Sequence, residues 1–118
     1  MKKLLSCLIL AALLLSGCAA KTDGKLVIGI ISWVTHPALD ASVEGFKSAV
    51  VAEYGADAVT FIEKNAESDQ STADLAVKDF VSRKVNLIYA VATPSAQAAI
   101  NAIGTASIPL VFAAVTDP

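Results

Sequence analysis

The sequence predicts an α/β fold, a doubly wound and mostly parallel β-sheet with helices on both faces. Short runs of apolar, largely β-branched residues alternate along the chain with amphipathic stretches of helical period. The runs are apolar on both faces, which is typical of buried parallel strands. The stretches between them have about the 10–15 residues of βαβ crossovers. Such crossovers are right-handed in nearly all proteins, so each helix is expected on a defined face of the sheet.

Residues 26–31 predict the first strand, since they are Leu-Val-Ile-Gly-Ile-Ile. Pro37 suits the first turn of the helix that follows, and Gly55 is a stop signal after it. Apolar residues recur between them at helical spacing, which predicts one buried helix face. These residues are Leu39, Val43, Phe46, Val50 and Tyr54.

Residues 58–62 predict the second strand, and a second amphipathic helix follows with Asp69 or Ser71 as its N-cap. Residues 86–91 predict the third strand. The apolar stripe of the second helix consists of Ala73, Ala76, Val77, Phe80 and Val81.

The third helix is predicted to open at Thr93 and Pro94 and to close at Gly104. Its apolar positions are Ala96, Ala99, Ile100 and Ile103. Residues 109–114 predict the fourth strand, so the sequence contains four strands joined by three helices.

The first eighteen residues have the order of an export signal. Two lysines precede an apolar run at 4–15, whose twelve residues are too few to span a bilayer, which takes about 20. The string Leu-Ser-Gly-Cys that ends at Cys18 resembles a bacterial lipobox. We therefore predict a signal peptide at 1–17, lipid attachment at Cys18 with two or more acyl chains, and a polar tether within 18–25.

Composition excludes several classes of protein. With 55% hydrophobic and 17% charged residues, the chain is neither a disordered tail, nor a coiled coil, nor a basic nucleic-acid binder. Without the signal lysines it carries seven basic and eleven acidic side chains, a formal charge of −4, which disfavours anionic partners. The two cysteines, Cys7 and Cys18, belong to the signal and the lipid anchor, so no disulfide or thiolate metal site is expected.

A ligand site is expected where the strands end. In doubly wound sheets, ligands bind beyond the carboxyl ends of the strands, where neighbouring connections diverge to opposite faces. Four segments of the chain follow predicted strands and reach this edge: 32–40, 63–70, 92–96 and 115–118.

Several catalytic chemistries lack their residues at that edge. A dinucleotide site needs a glycine-rich turn after the first strand, but Gly29 lies inside the strand. A phosphoacceptor receiver needs clustered carboxylates there to hold magnesium, and a hydrolase needs a Gly-x-Ser-x-Gly turn. His36 is the only histidine, and with Asp40 it supplies two ligands where a catalytic zinc needs three. We therefore predict no enzyme activity, metal or cofactor, and a structural or helix-capping role for His36.

The same edge suits a small polar molecule with an apolar body. The hydroxyls of Thr93 and Ser95 and the N–H groups at the start of the third helix suit a carboxylate. An ordinary Thr93 N-cap followed by Pro94 explains the same residues without a ligand. Trp33 either stacks on a flat ligand or belongs to the core. Asp117 either pairs with an ammonium group or caps a further helix.

Four strings carry a family resemblance. They are His-Pro-Ala-Leu-Asp at 36–40, Asp-Gln-Ser-Thr-Ala at 69–73, Ala-Thr-Pro-Ser-Ala-Gln-Ala at 92–98 and Phe-Ala-Ala-Val-Thr-Asp-Pro at 112–118. Together they resemble the substrate-binding lipoproteins of ABC transporters, in the tryptophan/tyrosine-binding group. The resemblance implies capture of an aromatic amino acid or related small solute outside the cell and delivery to a membrane permease. It also implies a type I periplasmic-binding-protein-like fold with a flavodoxin-like strand order.

In this family two lobes close around the ligand, and the resemblance implies which residues form the first lobe's share of the cleft. These residues are Ser32, Trp33, His36, Asn65, Asp69, Gln70, Thr93, Pro94, Ser95, Thr116 and Asp117. Family members are about three times as long as the exported part of this chain. Residues 26–118 are therefore expected to be an incomplete first lobe that exposes apolar surface on the last strand and folds marginally alone.

Two alternatives use the same topology. One is a sensor lobe that passes its solute to a signalling receptor. The other is a flavodoxin-like redox or enzymatic module, although flavin needs a phosphate-cradling loop, and residues 32–36 supply few such donors and no glycine.

Overall fold

The computed structural model describes residues 24–116, in which four strands alternate with three α-helices. The strands are β1 (Leu26–Ser32), β2 (Val59–Asn65), β3 (Leu87–Val91) and β4 (Leu110–Ala113). The helices are α1 (Pro37–Tyr54), α2 (Gln70–Ser82) and α3 (Thr93–Ile103), and a 3₁₀ turn (Ala56–Ala58) precedes β2. The predicted signal peptide, the predicted lipid site at Cys18 and Asp117 lie outside the described residues.

The strands form one parallel sheet in the order β2-β1-β3-β4. The sheet is doubly wound, as the sequence pattern predicted, and has the flavodoxin-like order that the family resemblance implied, so the predicted fold class is confirmed. β1 is central: it pairs with β2 along its whole length and with β3 from Ile28 to Ser32. Strands β2 and β4 are the edges of the sheet within residues 24–116.

The residues that were expected to bound the helices do so. Pro37 is the first residue of α1, and Gly55 follows its last turn with φ of 90°, a conformation that glycine adopts without strain. Asp69, one of the two predicted candidates, is the N-cap of α2. Gly104 follows α3 with φ of 51°.

Several predicted strand bounds differ from the observed ones by one residue, and the end of β2 differs by three. β2 continues three residues past its predicted end, because the polar residues 63–65 pair with 30–32 of β1 while their side chains reach solvent at the sheet edge. β3 begins one residue later than predicted. Asn86 bonds Val27 instead, since its Oδ1 accepts from Val27 N at 2.8 Å and its own N–H donates to Val27 O at 2.7 Å.

The sheet has a separate apolar layer on each face. Helix α1 covers one face, where Tyr89 of β3 stacks on Phe46 with ring centroids 4.0 Å apart and its hydroxyl lies 2.8 Å from Ser42 Oγ. Helices α2 and α3 cover the other face. The buried residues on the α1 side are Ile28, Ile30, Val43, Val59, Tyr89 and Val91, and those on the other side include Ile31, Val77, Phe80, Ile88, Ala90 and Ala99.

Helix α2 approaches the central strand at a glycine. The fully buried ring of Phe80 lies over Gly29, so closely that a β-carbon at position 29 would lie 2.6 Å from Phe80 Cγ. Real β-carbons do not approach an atom that near. Gly29 therefore allows a large aromatic ring to pack directly on the backbone of β1.

β4 leaves apolar surface uncovered, as expected. Val111 is 42% exposed and Phe112 is 48% exposed, and the two side chains point to opposite faces of the edge strand. This is an apolar flank of the kind that soluble proteins ordinarily cover.

We expect Gly29→Ala to lower the free energy of unfolding by about 1–3 kcal/mol, the usual cost of overpacking a core. The control is Gly45→Ala in α1, where nothing lies within 4 Å of the new β-carbon. That change should raise stability by up to about 1 kcal/mol, because alanine favours helix over glycine. Urea unfolding of the full-length protein measures both. Equal midpoints for Gly29→Ala and wild type would show that the Phe80 contact imposes no constraint.

Candidate functional site

The candidate site lies at the carboxyl edge of β1 and β3. These neighbouring strands pair as far as Ser32 and Val91. The chain then leaves β1 toward α1 on one face and leaves β3 toward α3 on the other. Adjacent connections that diverge in this way open a crevice between them, which is the usual ligand position in doubly wound sheets.

The loop after β1 contributes Trp33 and His36. Trp33 is partly buried and packs against the apolar layer that contains Ala96 of α3, and Val115 packs against the same layer. The indole therefore lies on the face of the sheet that α2 and α3 cover. His36 is exposed and is the N-cap of α1, where its Nδ1 accepts from Ala38 N at 3.2 Å. This is the capping role that the sequence favoured for the single histidine.

Helix α3 opens at Thr93 and Pro94, as predicted, but the interpretation of Thr93 as an ordinary N-cap is wrong. Thr93 is not the N-cap, because Ala92 occupies that position without a side-chain hydrogen bond, and Thr93 and Pro94 lie in the first turn. Ala92 has φ of 78° and ψ of 154°, a region that only glycine enters freely. Thr93 Oγ1 instead accepts from Thr116 N at 3.3 Å and lies 3.4 Å from Thr116 Oγ1. Thr93 thus ties α3 to the loop after β4.

Ser95 is fully buried in the first turn of α3, and its Oγ has no hydrogen-bond partner among the described residues. An unpaired buried hydroxyl destabilises a fold, so such groups are uncommon. The first intrahelical bond runs from Ala96 N to Ala92 O at 3.1 Å, so the N–H groups of Thr93 and Ser95 precede it. The first turn has no acidic residue. The start of α3 therefore suits an anion electrostatically.

Asp69 and Gln70 form hydrogen bonds at the start of α2. Asp69 accepts from Thr72 N at 2.7 Å and from Thr72 Oγ1 at 2.8 Å. The backbone bond from Thr72, followed by the hydroxyl bond, holds the pKa of Asp69 below its ordinary value. Gln70 Nε2 donates to Asp74 Oδ1 at 2.9 Å.

Ser32 and Asn65 line a second depression, of about 350 Å³, between α1 and the end of β2. Its acidic side chains are Asp40, Glu44 and Glu63. Lys47 pairs with two of them, at 2.7 Å to Glu63 and 3.1 Å to Glu44, and these hydrogen bonds raise the pKa of Lys47. Within residues 24–116 no group of three His, Cys, Asp or Glu side chains is arranged to hold a metal ion.

The structure thus divides the predicted site residues into two groups. Thr93, Ser95 and Thr116 lie around the start of α3, and Trp33 packs on the apolar layer of the same face of the sheet, whereas Ser32 and Asn65 line the depression between α1 and β2. Sequence reasoning missed Thr35, whose Oγ1 accepts from Asn65 Nδ2 at 2.9 Å. It also missed the strained backbone of Ala92. Neither feature has a signal in the local sequence, because both follow from how separate loops meet.

The fold is that of part of a periplasmic-binding-protein-like domain. The chain belongs to the ABC transporter substrate-binding protein family, whose family model matches residues 27–118. The Tyrosine-binding protein of Clostridioides difficile (strain R20291) is 40% identical to it, over 99% of this chain and 39% of that protein.

Solved structures resemble the chain as well. One is the ligand-free, open structure of a substrate-binding protein with adhesive properties from Clostridium difficile, with TM-score 0.72, 41% identity, and coverage of 78% of this chain and 31% of that one. Another is an ABC domain in complex with L-Trp from Streptococcus pneumonia, with TM-score 0.73 and 34% identity, and the match covers 80% of this chain and 32% of that one. The chain spans less than half the length of each of these relatives.

We expect the capping bond of Asp69 to make stability depend on pH. Its folded-state pKa lies below the unfolded value of about 3.9, so its stabilisation is present above that pH and is lost as the pH falls through the folded pKa. Asp69→Ala should therefore melt below wild type at pH 7, and the gap should close in acid. The exposed Asp57→Ala is the control. A gap that persists below the folded pKa would contradict the capping role.

Proposed function

We propose that this chain is part of the extracytoplasmic solute-binding component of an ABC importer, which captures an aromatic amino acid or a related small solute and delivers it to the permease. Family membership supports the binding role, and the names of the tyrosine-binding relative and the L-Trp complex support the aromatic class. One observation carries the assignment to this edge. The unpaired, buried Ser95 hydroxyl lies at the start of α3, beside the layer on which Trp33 packs.

The proposed ligand is held by complementary chemistry at each end. Its carboxylate accepts from the N–H groups at the start of α3, with the hydroxyls of Ser95 and Thr116 nearby. Its ring lies against Trp33, where aromatic pairs gain about 0.5–1.5 kcal/mol beyond burial. Its ammonium group pairs with an acid, for which Asp117 is the proposed residue. Ser95 is fully buried in this structure, so the ligand supplies the hydrogen bond that its hydroxyl lacks only when the first turn of α3 opens on binding.

The remaining predicted residues have supporting parts in this proposal. Their contacts show that His36 and Asp69 cap helices and that Gln70 bonds within α2. Ser32, Asn65 and Pro94 shape the loops that border the crevice. No catalytic step is assigned to any of them, consistent with a family whose members bind substrate.

The proposed location is the outer face of a membrane, with Cys18 as the lipid anchor and the permease as the partner. In the part of the chain that the structure describes, no helix is both long and apolar enough to cross a bilayer.

Ligand class can be ranked by thermal shift and calorimetry on the full-length protein with tryptophan, tyrosine, phenylalanine, leucine and valine. We expect the aromatic amino acids to raise Tm most, since a ligand at 100 times its Kd adds about 2.7 kcal/mol. Trp33→Ala should weaken aromatic ligands about tenfold and aliphatic ligands less. The control is Tyr54→Ala, because Tyr54 is exposed at the far end of α1. If no amino acid raises Tm, the assignment is wrong.

Ser95→Ala separates binding from folding. Removing an unpaired buried hydroxyl should leave the ligand-free protein as stable as wild type or more stable by up to about 1–3 kcal/mol. The same change should reduce affinity for the carboxylate ligand severalfold. Ser48→Ala, on the exposed surface of α1, should change neither quantity. A destabilised protein with unchanged affinity would show that the Ser95 hydroxyl serves only the fold.

A further inference from the structure

The loop that carries Trp33 is held by the loop between β2 and α2. Ala66 N donates to Ser32 O at 2.8 Å, and Ser68 N donates to Trp33 O at 2.8 Å. The neighbouring strands therefore continue to bond after regular pairing ends at Ser32 and Asn65. Ala66 is fully buried, which anchors the donating loop in the apolar layer.

The side chain of Asn65 joins both loops. Its Nδ2 donates to Thr35 Oγ1 at 2.9 Å, two residues after Trp33. Its Oδ1 accepts from Glu67 N at 2.8 Å. A side-chain amide has a donor end and an acceptor end, and each end here is bonded to a different loop. Asn65 therefore fixes the distance between the Trp33 loop and the loop after β2.

The donating loop is strained, so it depends on such contacts. Glu67 has φ of 52° and Ser68 has φ of 62°, both in the left-handed region that residues other than glycine rarely adopt. Consecutive residues stay in that region only where the surroundings determine them strongly. The determining contacts are the Asn65 bond to Glu67 N, the Ser68 bond to Trp33 O, and the bond from Asp69 N to Ala66 O at 2.9 Å.

We propose that Asn65 is a positioning residue, which acts through Thr35 and the 66–68 loop to hold Trp33 in the orientation that receives an aromatic ligand. It sets the indole rather than contacting the ligand. This inference rests on the proposed function, because Trp33 is the aromatic contact in that proposal. It gives Asn65 a role in affinity that its exposed position alone would not indicate.

The affinity test is a double-mutant cycle on the full-length protein, with tryptophan as the titrated ligand. Asn65→Ala should weaken binding about tenfold, as loss of an orienting hydrogen bond does, and Thr35→Ala should weaken it in the same direction. In the Trp33→Ala background, Asn65→Ala should have little further effect, because a residue that acts through Trp33 has nothing left to position. Additive losses would show direct contact with the ligand and overturn the proposal.

Asn65→Asp is the conservative variant. A carboxylate at this position accepts from Glu67 N with one oxygen and from the Thr35 hydroxyl with the other. The link between the loops is then kept, so affinity should stay within about threefold of wild type, a change smaller than one neutral hydrogen bond. An Asn65→Asp protein as weak as Asn65→Ala would contradict a role in linking the loops.

Asn86→Ala is the matched structural control. Asn86 also bonds β1 through its side-chain Oδ1, which lies 2.8 Å from Val27 N, but it does so at the amino-terminal end of the strand. Its replacement should lower Tm without changing affinity. If Asn65→Ala behaves in the same way, with lower Tm and unchanged affinity, Asn65 is structural only and the proposal is wrong.

A second readout needs no ligand. The indole N–H resonance of Trp33, identified by its loss in Trp33→Phe, should shift or broaden in Asn65→Ala and should stay in place in Asn86→Ala. An unmoved resonance in Asn65→Ala overturns positioning. If the resonance moves but wild type binds no amino acid, the proposed function fails while the loop link stands. If wild type binds tryptophan and Asn65→Ala binds it equally well, the positioning role fails while the proposed function stands.

Discussion

The packing of Phe80 on Gly29 is the contact on which the rest of the structure depends. Because position 29 has no β-carbon, α2 lies close enough to β1 for the ring of Phe80 to be fully buried on the strand backbone. Helix α2 begins at its Asp69 cap, so its distance from the sheet also sets where residues 66–68 meet the end of β1. The contact between Phe80 and Gly29 in the middle of the sheet thus affects the position of the loop that carries Trp33.

Within the described residues, the start of α3 offers a carboxylate backbone donors and hydroxyls rather than charged side chains. Thr93 links α3 to the loop after β4, and Ser95 keeps an unpaired hydroxyl in the first turn. Strained backbone lies beside them, since Ala92 has φ of 78° and Ala114 has φ of 55°. Strain of about 1–3 kcal/mol per residue persists where the surroundings require it, and it concentrates at functional sites. Of the five described non-glycine residues with positive φ, four lie at the edge that the topology assigns to ligands, and the fifth, Lys84, lies between α2 and β3.

Much of the fold could be predicted from the sequence, because strands and helices here are encoded by local patterns. The four strands, the three helices, the Asp69 cap and the glycines after α1 and α3 follow from apolar period and capping chemistry, whereas the strand order was implied by the family resemblance. The sequence could predict where the site lies, but not which of its residues contact one another. Thr93 looked like an N-cap because only the fold shows that Ala92 takes that position, and the Asn65–Thr35 bond joins residues 30 positions apart. The burial of Ser95 likewise depends on how α3 packs, which its own sequence leaves open.

The most direct test of the central claim is a crystal structure of the full-length protein with bound tryptophan. We expect the ligand carboxylate to lie within about 2.7–3.2 Å of an N–H group at the start of α3 or of Ser95 Oγ, with the ligand ring against Trp33. A ligand bound in the depression between α1 and β2, or one that touches neither Trp33 nor the start of α3, would contradict that claim.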